Sequence, residues 1–241
     1  MRGPVDSGAL HAVFEWFQRV DGLFSTWRDD SEITRLARGE LTVDRTSPEV
    51  RVVLDLCRFV SVQSEGAFDI HFGADPRVTP GPGIGPIDPS GLVKGWALER
   101  GADLLSGSGV AAFNINAGGD VVTRGRPAPG EVWRVGIRHP WAPHRVAAVI
   151  GATDLAIATS GRYERGGHIV DPRTGEPASG LMSVTVVGDD LGLADGYATA
   201  ALVMGLEGIG WLAEVEGVEA LAITDDREVV ATDGFGRHRL S

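Results

Sequence analysis

The sequence lacks several features that would assign it to a common functional class. Because Cys57 is its only cysteine, an internal disulfide and a cysteine-rich zinc site are excluded. No apolar run approaches the roughly 20 residues of a membrane-spanning helix, so no membrane span is predicted. The first residues show no signal-peptide pattern, which predicts a cytoplasmic location. No Walker, nucleophile-elbow or metalloprotease motif occurs.

The charge balance limits the classes of ligand. The formal net charge is −11 at pH 7. Because such a surface repels a phosphate backbone, we predict no nucleic-acid partner. An acidic protein that handles a pyrophosphate also needs a local cation, supplied by a few basic groups or by a metal ion.

Hydrophobic spacing predicts an α+β fold. Helical spacing covers residues 8–20, a segment that begins at Pro48, and a third segment from about Leu92 to Leu105. From residue 110 onward, short β-rich runs alternate with turn signals, and two helical stretches interrupt them. We therefore predict a helical N-terminal third, followed by mixed or antiparallel strands with inserted helices. We expect one intertwined domain over residues 1–241, with a soft boundary near residue 110.

Two glycine- or alanine-rich motifs carry residues suited to phosphate chemistry. ADGYATA places Asp195 and Thr199 four residues apart on one helix face, where a carboxylate and a hydroxyl can both ligate Mg²⁺. Taken alone, Asp195 also fits an acid that the helix dipole favours. NAGGDV places Gly118 and Gly119 between two strands. Their N–H groups would receive a phosphate or flavin oxygen, or the pair would form a tight hairpin turn.

Two further segments carry a histidine and a lysine. In TSGRYERGGHIVDPRTGEP, His168 follows two glycines and precedes an Asp-Pro turn, which favours a general base, although a lone histidine is more often structural. In IDPSGLVKG, Lys94 falls near the start of a predicted helix. A lysine there indicates an anion partner such as phosphate, or a side chain that faces solvent. No single segment decides the function.

Together the segments resemble the FAD:protein FMN transferases, the ApbE-like family, over roughly residues 20–235. Six short segments follow the family's order: FSTWRDDSEITRL, GAFDI, IDPSGLVKG, NAGGD, TSGRYERGGHIVDPRTG and ADGYATA. The chain departs from the family's usual pattern at four places. One is the stretch after FDIHFG, which is short and lacks the family's usual flavin-contacting segment. The chain also begins directly in a predicted helix, where the family usually has a strand with Met-Gly-Thr. Trp27 stands where tyrosine is common, and Gly91 where alanine is common.

The resemblance implies a magnesium-dependent transfer of FMN from FAD to a threonine or serine hydroxyl of a target flavoprotein, with release of AMP. It implies His168 as the base, and a metal site at Asp195 and Thr199 with contacts from Gly91 and Ala198. The residues implied to bind FAD are Trp27, Asp69, Asp88, Lys94, Gly118, Gly119 and Ile169. Two alternatives remain open at this point: an FAD pyrophosphatase that yields FMN and AMP, and a flavin-binding protein without turnover.

Overall fold

The computed structural model describes residues 7–71, 86–163 and 169–240. The α-helices of these ranges are α1 (Ser7–Phe24), α2 (Glu32–Ala37), α3 (Pro48–Gln63), α4 (Ser90–Gly107), α5 (Leu191–Met204) and α6 (Leu206–Glu214). Local sequence explains where several begin. Ser47 caps α3 by accepting a hydrogen bond from the Val50 N–H, with Pro48 in the first helical position. Asp190 caps α5 in the same way through the Leu193 N–H.

Nine strands form two antiparallel sheets in the part of the chain that the structure describes. The strands are β1 (Phe113–Ala117), β2 (Asp120–Arg124), β3 (Trp133–His139), β4 (Ala142–Ala152), β5 (Ala156–Gly161), β6 (Leu181–Gly188), β7 (Glu219–Thr224), β8 (Val229–Ala231) and β9 (Arg239–Leu240). Sheet A has the order β1-β2-β5-β6-β7-β8, and sheet B has the order β3-β4-β9. Both pair only antiparallel strands among the described residues.

The molecule is built in three layers, with sheet A in the middle. Alternate residues of each sheet A strand point to opposite faces. On β5, Ala156 and Ala158 belong to the core beneath the helices, whereas Ile157 belongs to the core shared with sheet B. The same alternation recurs on β2, where Val122 faces the helices and Val121 faces sheet B. This alternation decides which side chains of the sheet can reach the site described below.

Helices α4 and α5 cross at very short range. A Cβ added at Gly95 would lie only 2.2 Å from the Leu191 carbonyl oxygen, and one added at Gly192 would lie 3.1 Å from the Trp96 Cβ. Only glycine permits this approach at Gly95, because a Cβ essentially never comes so close to a backbone atom. The crossing brings the N-terminal half of α4 against the N-terminal half of α5, where the candidate site lies.

The architecture confirms the predicted fold class. Helices fill the described part of the first third, strands dominate after residue 110, and α5 and α6 are inserted between β6 and β7. The short elements α2 and β9 were not predicted. The helical core includes side chains from both sides of residue 110, and the limits of a single domain stay a prediction. Within the described ranges, no helix combines the length and apolarity needed to cross a bilayer.

Candidate functional site

An open cleft of about 330 Å³ lies where α4, α5 and the end of β5 meet. Its described lining is rich in polar and charged groups. Three aspartates contribute carboxylates and one lysine contributes a positive charge: Asp69, Asp88, Asp195 and Lys94. The remaining lining residues are Ala67, Phe68, Ser90, Gly91, Thr159, Ser160, Gly161, Ile169, Val170, Pro172, Thr199 and Val203.

Helix α5 presents Asp195 and Thr199 to the cleft one turn apart, as their spacing predicts. The Asp195 side chain is almost fully buried, and its Oδ2 accepts a hydrogen bond of 3.1 Å from the Gly95 N–H. Thr199 lies beside the first turn of α4, because a Cβ at Gly91 would be 3.5 Å from the Thr199 Oγ1. The tight helix crossing therefore places a carboxylate, a hydroxyl and the backbone of α4 around one space.

Lys94 is the only lysine in the chain, and it is held between two carboxylates. Its Nζ lies 2.8 Å from the Asp120 Oδ2 and 3.8 Å from the Asp195 Oδ1. The side chain remains 38% exposed, so the ammonium still borders the cleft while it pairs with buried anions. In this structure the anions beside Lys94 are these two carboxylates, and a phosphate partner of Lys94 stays a prediction.

Asp120 was not among the predicted site residues, although it fixes the position of Lys94. It follows directly after the two-residue turn Gly118–Gly119, and its side chain is fully buried. Its Oδ1 accepts a hydrogen bond of 3.1 Å from the Thr159 N–H. Burial raises the pKa of the Asp120 carboxyl, and the ammonium of Lys94 opposes this rise. The sequence offered only one signal for this contact: the chain has a single lysine, and an acid follows directly after a glycine turn.

A third buried carboxylate, Glu99, secures the start of α5. Its Oε2 accepts a hydrogen bond of 3.1 Å from the Leu191 N–H, and its Oε1 pairs with the guanidinium of Arg124 on β2. Burial raises the pKa of Glu99, and the charge of Arg124 opposes the rise. Glu99 therefore connects α4, α5 and β2, the three elements that carry Lys94, Asp195 and Asp120. Sequence reasoning missed this residue because nothing in its local pattern distinguishes it from a surface glutamate.

Hydroxyl groups line the end of β5 on both faces of sheet A. The Ser160 Oγ lies 3.1 Å from the Thr199 Oγ1 on the helical side. On the opposite side, the Thr159 Oγ1 lies 2.9 Å from the Thr185 Oγ1 of β6. The first pair connects β5 to α5 directly at the cleft.

A smaller hollow of about 130 Å³ adjoins the cleft at Thr159. Gly118 and Gly119 line it, with φ values of 62° and 96° that form the predicted hairpin turn between β1 and β2. The described lining also includes Val135, Gly136, Ile137, Arg138, Ile157 and Tyr163. The hollow lies on the sheet B side of sheet A, whereas the cleft lies on the helical side.

The structure brings most of the predicted site residues together. The cleft collects Asp69, Asp88, Gly91, Lys94, Ile169, Asp195 and Thr199. Gly118 and Gly119 line the adjoining hollow. Ala198 is fully buried in the helical core, and Trp27, which is 82% exposed, is not part of the described lining. His168 lies outside the described residues. The functional roles of all these residues remain predictions.

The oxygen donors that line the cleft are a mixture of carboxylates and hydroxyls. Across the described ranges, no group of three or more His, Cys, Asp or Glu side chains is arranged to hold a metal ion. On α5, Asp195 contributes a carboxylate and Thr199 a hydroxyl to the lining of the cleft. Such hard oxygen donors suit Mg²⁺, which usually keeps positions open for substrate phosphates.

Comparison with protein families shows which family the chain belongs to. The model described as the ApbE family matches residues 3–78 and 75–222, which together span most of the sequence. The chain belongs to the ApbE family. The predicted family resemblance is thereby confirmed.

The ApbE-family relatives with curated names include two bacterial proteins called FAD:protein FMN transferase. The protein from Vibrio cholerae serotype O1 is 37% identical over 165 residues, which cover 64% of this chain and 48% of the relative. The protein from Rhodobacter capsulatus is 40% identical over 155 residues, which cover 61% of this chain and 29% of the relative. The matched region thus spans about half or less of the length of these relatives.

Solved ApbE-family structures share the fold over nearly the whole chain. The flavin transferase ApbE from Vibrio cholerae superposes with a TM-score of 0.83 at 27% identity, covering 99% of this chain and 93% of that structure. The ApbE protein from Thermotoga maritima superposes with a TM-score of 0.84 at 23% identity, covering 100% of this chain and 94% of that structure, and supports the fold alone.

Proposed function

We propose that this chain catalyses magnesium-dependent transfer of FMN from FAD to a threonine or serine hydroxyl of a target flavoprotein, with release of AMP. Family membership and the names of the relatives support the reaction class. The observation that carries the proposal is the cleft, where Lys94, Asp195 and Thr199 meet. A cytoplasmic location remains a prediction.

The electrostatics of the cleft favour a bound cation. Three aspartates and one lysine line it among the described residues, so an incoming pyrophosphate would meet a net negative wall. Bound Mg²⁺ would supply charge neutralisation and polarisation of a phosphoryl oxygen. Asp195, Thr199 and the backbone near Gly91 offer the oxygen donors to hold it, with Ala198 assigned to the same site by family resemblance. The residues present fit a magnesium ion better than a softer metal.

The protein's own residues would position and polarise the substrates. In the proposed reaction, the acceptor oxygen forms a bond to the FMN phosphorus, while the bond from that phosphorus to the AMP oxygen breaks. Lys94 would stabilise negative charge on the phosphates, and Asp120 would keep its ammonium at the cleft. His168 is the proposed acceptor of the hydroxyl proton. Catalysis of this kind depends mainly on positioning and electrostatics.

Trp27, Asp69, Asp88, Gly118, Gly119 and Ile169 are proposed to contact FAD along with Lys94. Binding can be tested separately from turnover because Lys94 is the only side-chain amine of the chain. We expect FAD and Mg²⁺ to slow acetylation of Lys94, measured by peptide mass spectrometry. The Asp195→Asn variant should show weaker protection at the same Mg²⁺ concentration.

Mass spectrometry of a candidate acceptor flavoprotein after incubation with the chain, FAD and Mg²⁺ tests the transfer itself. We expect an FMN adduct on a threonine or serine, together with AMP. Formation of free FMN and AMP without an adduct would instead establish a pyrophosphatase. Protection of Lys94 by FAD without AMP formation would establish a flavin-binding protein.

A further inference from the structure

The transfer reaction requires a binding surface for the acceptor protein in addition to the FAD site. In phosphoryl transfer the attacking and leaving oxygens lie roughly in line, on opposite sides of the phosphorus. An acceptor hydroxyl must therefore approach from the side opposite to AMP. The hollow adjoins the cleft at Thr159 and lies on the other face of sheet A, so it is a space beside the cleft from which an acceptor can approach.

The hollow is bounded by the edge of a strand. It contacts Val135, Gly136, Ile137 and Arg138, four consecutive residues of β3. Val135, Gly136 and Ile137 precede the register shift at Arg138, and successive residues of such a regular stretch point to opposite faces. A hollow that touches all three therefore meets the strand along its hydrogen-bonding edge. β3 is an outer strand of sheet B, and among the described residues it pairs only with β4.

Among the described residues, no second strand covers this edge, which is longer than the other sheet edges. β3 has seven residues, whereas the other outer strands, β1, β8 and β9, have five, three and two. Arg134 and Gly136 are exposed, and no proline interrupts the strand. Unpaired strand edges are templates for a further strand, and many proteins bind extended peptides in this way.

The charge of sheet B indicates the kind of segment that would bind. Its strands carry four arginines and no aspartate or glutamate, although the whole chain has a net charge of −11: Arg134, Arg138, Arg145 and Arg239. Arg138 also stacks over the ring of Tyr163, at 4.5 Å from its centroid, at the mouth of the hollow. A basic sheet on an acidic protein favours an acidic partner segment and disfavours basic ones.

We propose that the β3 edge is the docking site of the acceptor protein. An extended, acidic segment of the acceptor adds to β3 as a further strand, and its threonine or serine reaches the cleft past Thr159. This inference rests on the proposed transferase function and specifies how its protein substrate is recognised. The β3 side of the hollow then holds side chains of the acceptor, while FAD lies in the cleft and against the Gly118–Gly119 turn.

Hydrogen–deuterium exchange provides a direct test. We expect the backbone amides of residues 133–138 to exchange more slowly when the flavinylated target protein from the transfer assay is added without FAD. FAD and Mg²⁺ alone should protect the cleft segment 88–95 and leave 133–138 unchanged. Protection of 133–138 by FAD alone, with none from the acceptor, would overturn the proposal, because the β3 edge would then belong to the FAD site.

Steady-state kinetics provides a second test. Charge reversal in Arg134→Glu should raise KM for the acceptor about tenfold relative to KM for FAD. This change corresponds to a loss of roughly 1.4 kcal/mol of binding free energy between the acceptor and sheet B. Arg58→Glu, a matched reversal at an exposed arginine of α3, should leave both constants within twofold. An unchanged acceptor KM in Arg134→Glu would contradict the docking site. Absence of any FMN adduct with the unmodified chain would instead contradict the transferase function.

Discussion

Removal of the Lys94 ammonium should destabilise the protein, because it would leave Asp120 as a buried charge without its counter-ion. Asp120 is fully buried, and its contacts are the Lys94 Nζ at 2.8 Å and the Thr159 N–H at 3.1 Å. Breaking a buried ion pair from one side costs roughly 3–5 kcal/mol. Lys94 is 38% exposed and Thr159 still donates, so we expect Lys94→Met to lose about 3 kcal/mol, the lower end of that range.

Urea unfolding of a double-mutant cycle measures this effect. In Lys94→Met/Asp120→Asn the buried charge is absent, and we expect recovery of about half of the lost free energy of unfolding. The single variant should also melt about 6–12 °C below the unmodified chain. A loss below about 1 kcal/mol in Lys94→Met, or no recovery in the double variant, would refute the reasoning that Asp120 is held ionised by Lys94.

The pKa shift of Asp120 also predicts the direction in which the stability of Lys94→Met changes with pH. Burial raises the pKa of Asp120, and Lys94 opposes that rise, so the pKa should rise further in Lys94→Met. The folded variant then keeps a proton that the unfolded chain releases. Its stability should fall as the pH rises through the folded pKa and recover as the pH is lowered. Unfolding curves at pH 5 and pH 8 should therefore show a smaller deficit at pH 5.

Three further predictions address the helix crossing, the metal and the cysteine. By calorimetry, Gly95→Ala should lose at least about 2–3 kcal/mol of unfolding free energy, because a Cβ packed against a backbone carbonyl cannot be accommodated. The control Gly22→Ala, where the added Cβ meets open space, should gain about 0.5–1 kcal/mol. Asp195→Asn should raise the Mg²⁺ concentration for half-maximal AMP release about tenfold or more, and an unchanged titration would contradict the metal site. Burial raises the pKa of Cys57 to about 12, so iodoacetamide at pH 8 should alkylate it only after unfolding.

Helical and strand spacing predicted the fold class because it depends on local periodicity. The helix after Ser47 and the hairpin at Gly118–Gly119 follow from capping and turn chemistry within a few residues. α2 was missed because six residues are too short to show a helical period, although Ser31 caps it through the Thr34 N–H. The division of strands between two sheets was not predictable from spacing, because it depends on pairings between distant segments.

In the candidate site, too, only contacts that depend on local spacing were predictable from the sequence. Asp195 and Thr199 share a face that one turn of helix determines, so the sequence predicted their proximity. The approach of Asp120 to Lys94 depends on a hairpin packing under a helix, and no local pattern contains that information. Glu99 was equally hidden, since its partners Leu191 and Arg124 are distant in the chain.

The glycine-mediated crossing of α4 and α5 also bears on how the chain folds during synthesis. The hydrogen bond from the Gly95 N–H to Asp195 joins residues 100 positions apart. Closing a loop of that length costs about 4 kcal/mol of chain entropy, beyond a constant term. At roughly 5–20 residues per second, α4 leaves the ribosome about 5–20 s before its partner helix exists. During that interval the apolar face of α4 that will later be covered by α5 is open to chaperones, so the cleft is among the last parts of the protein to form.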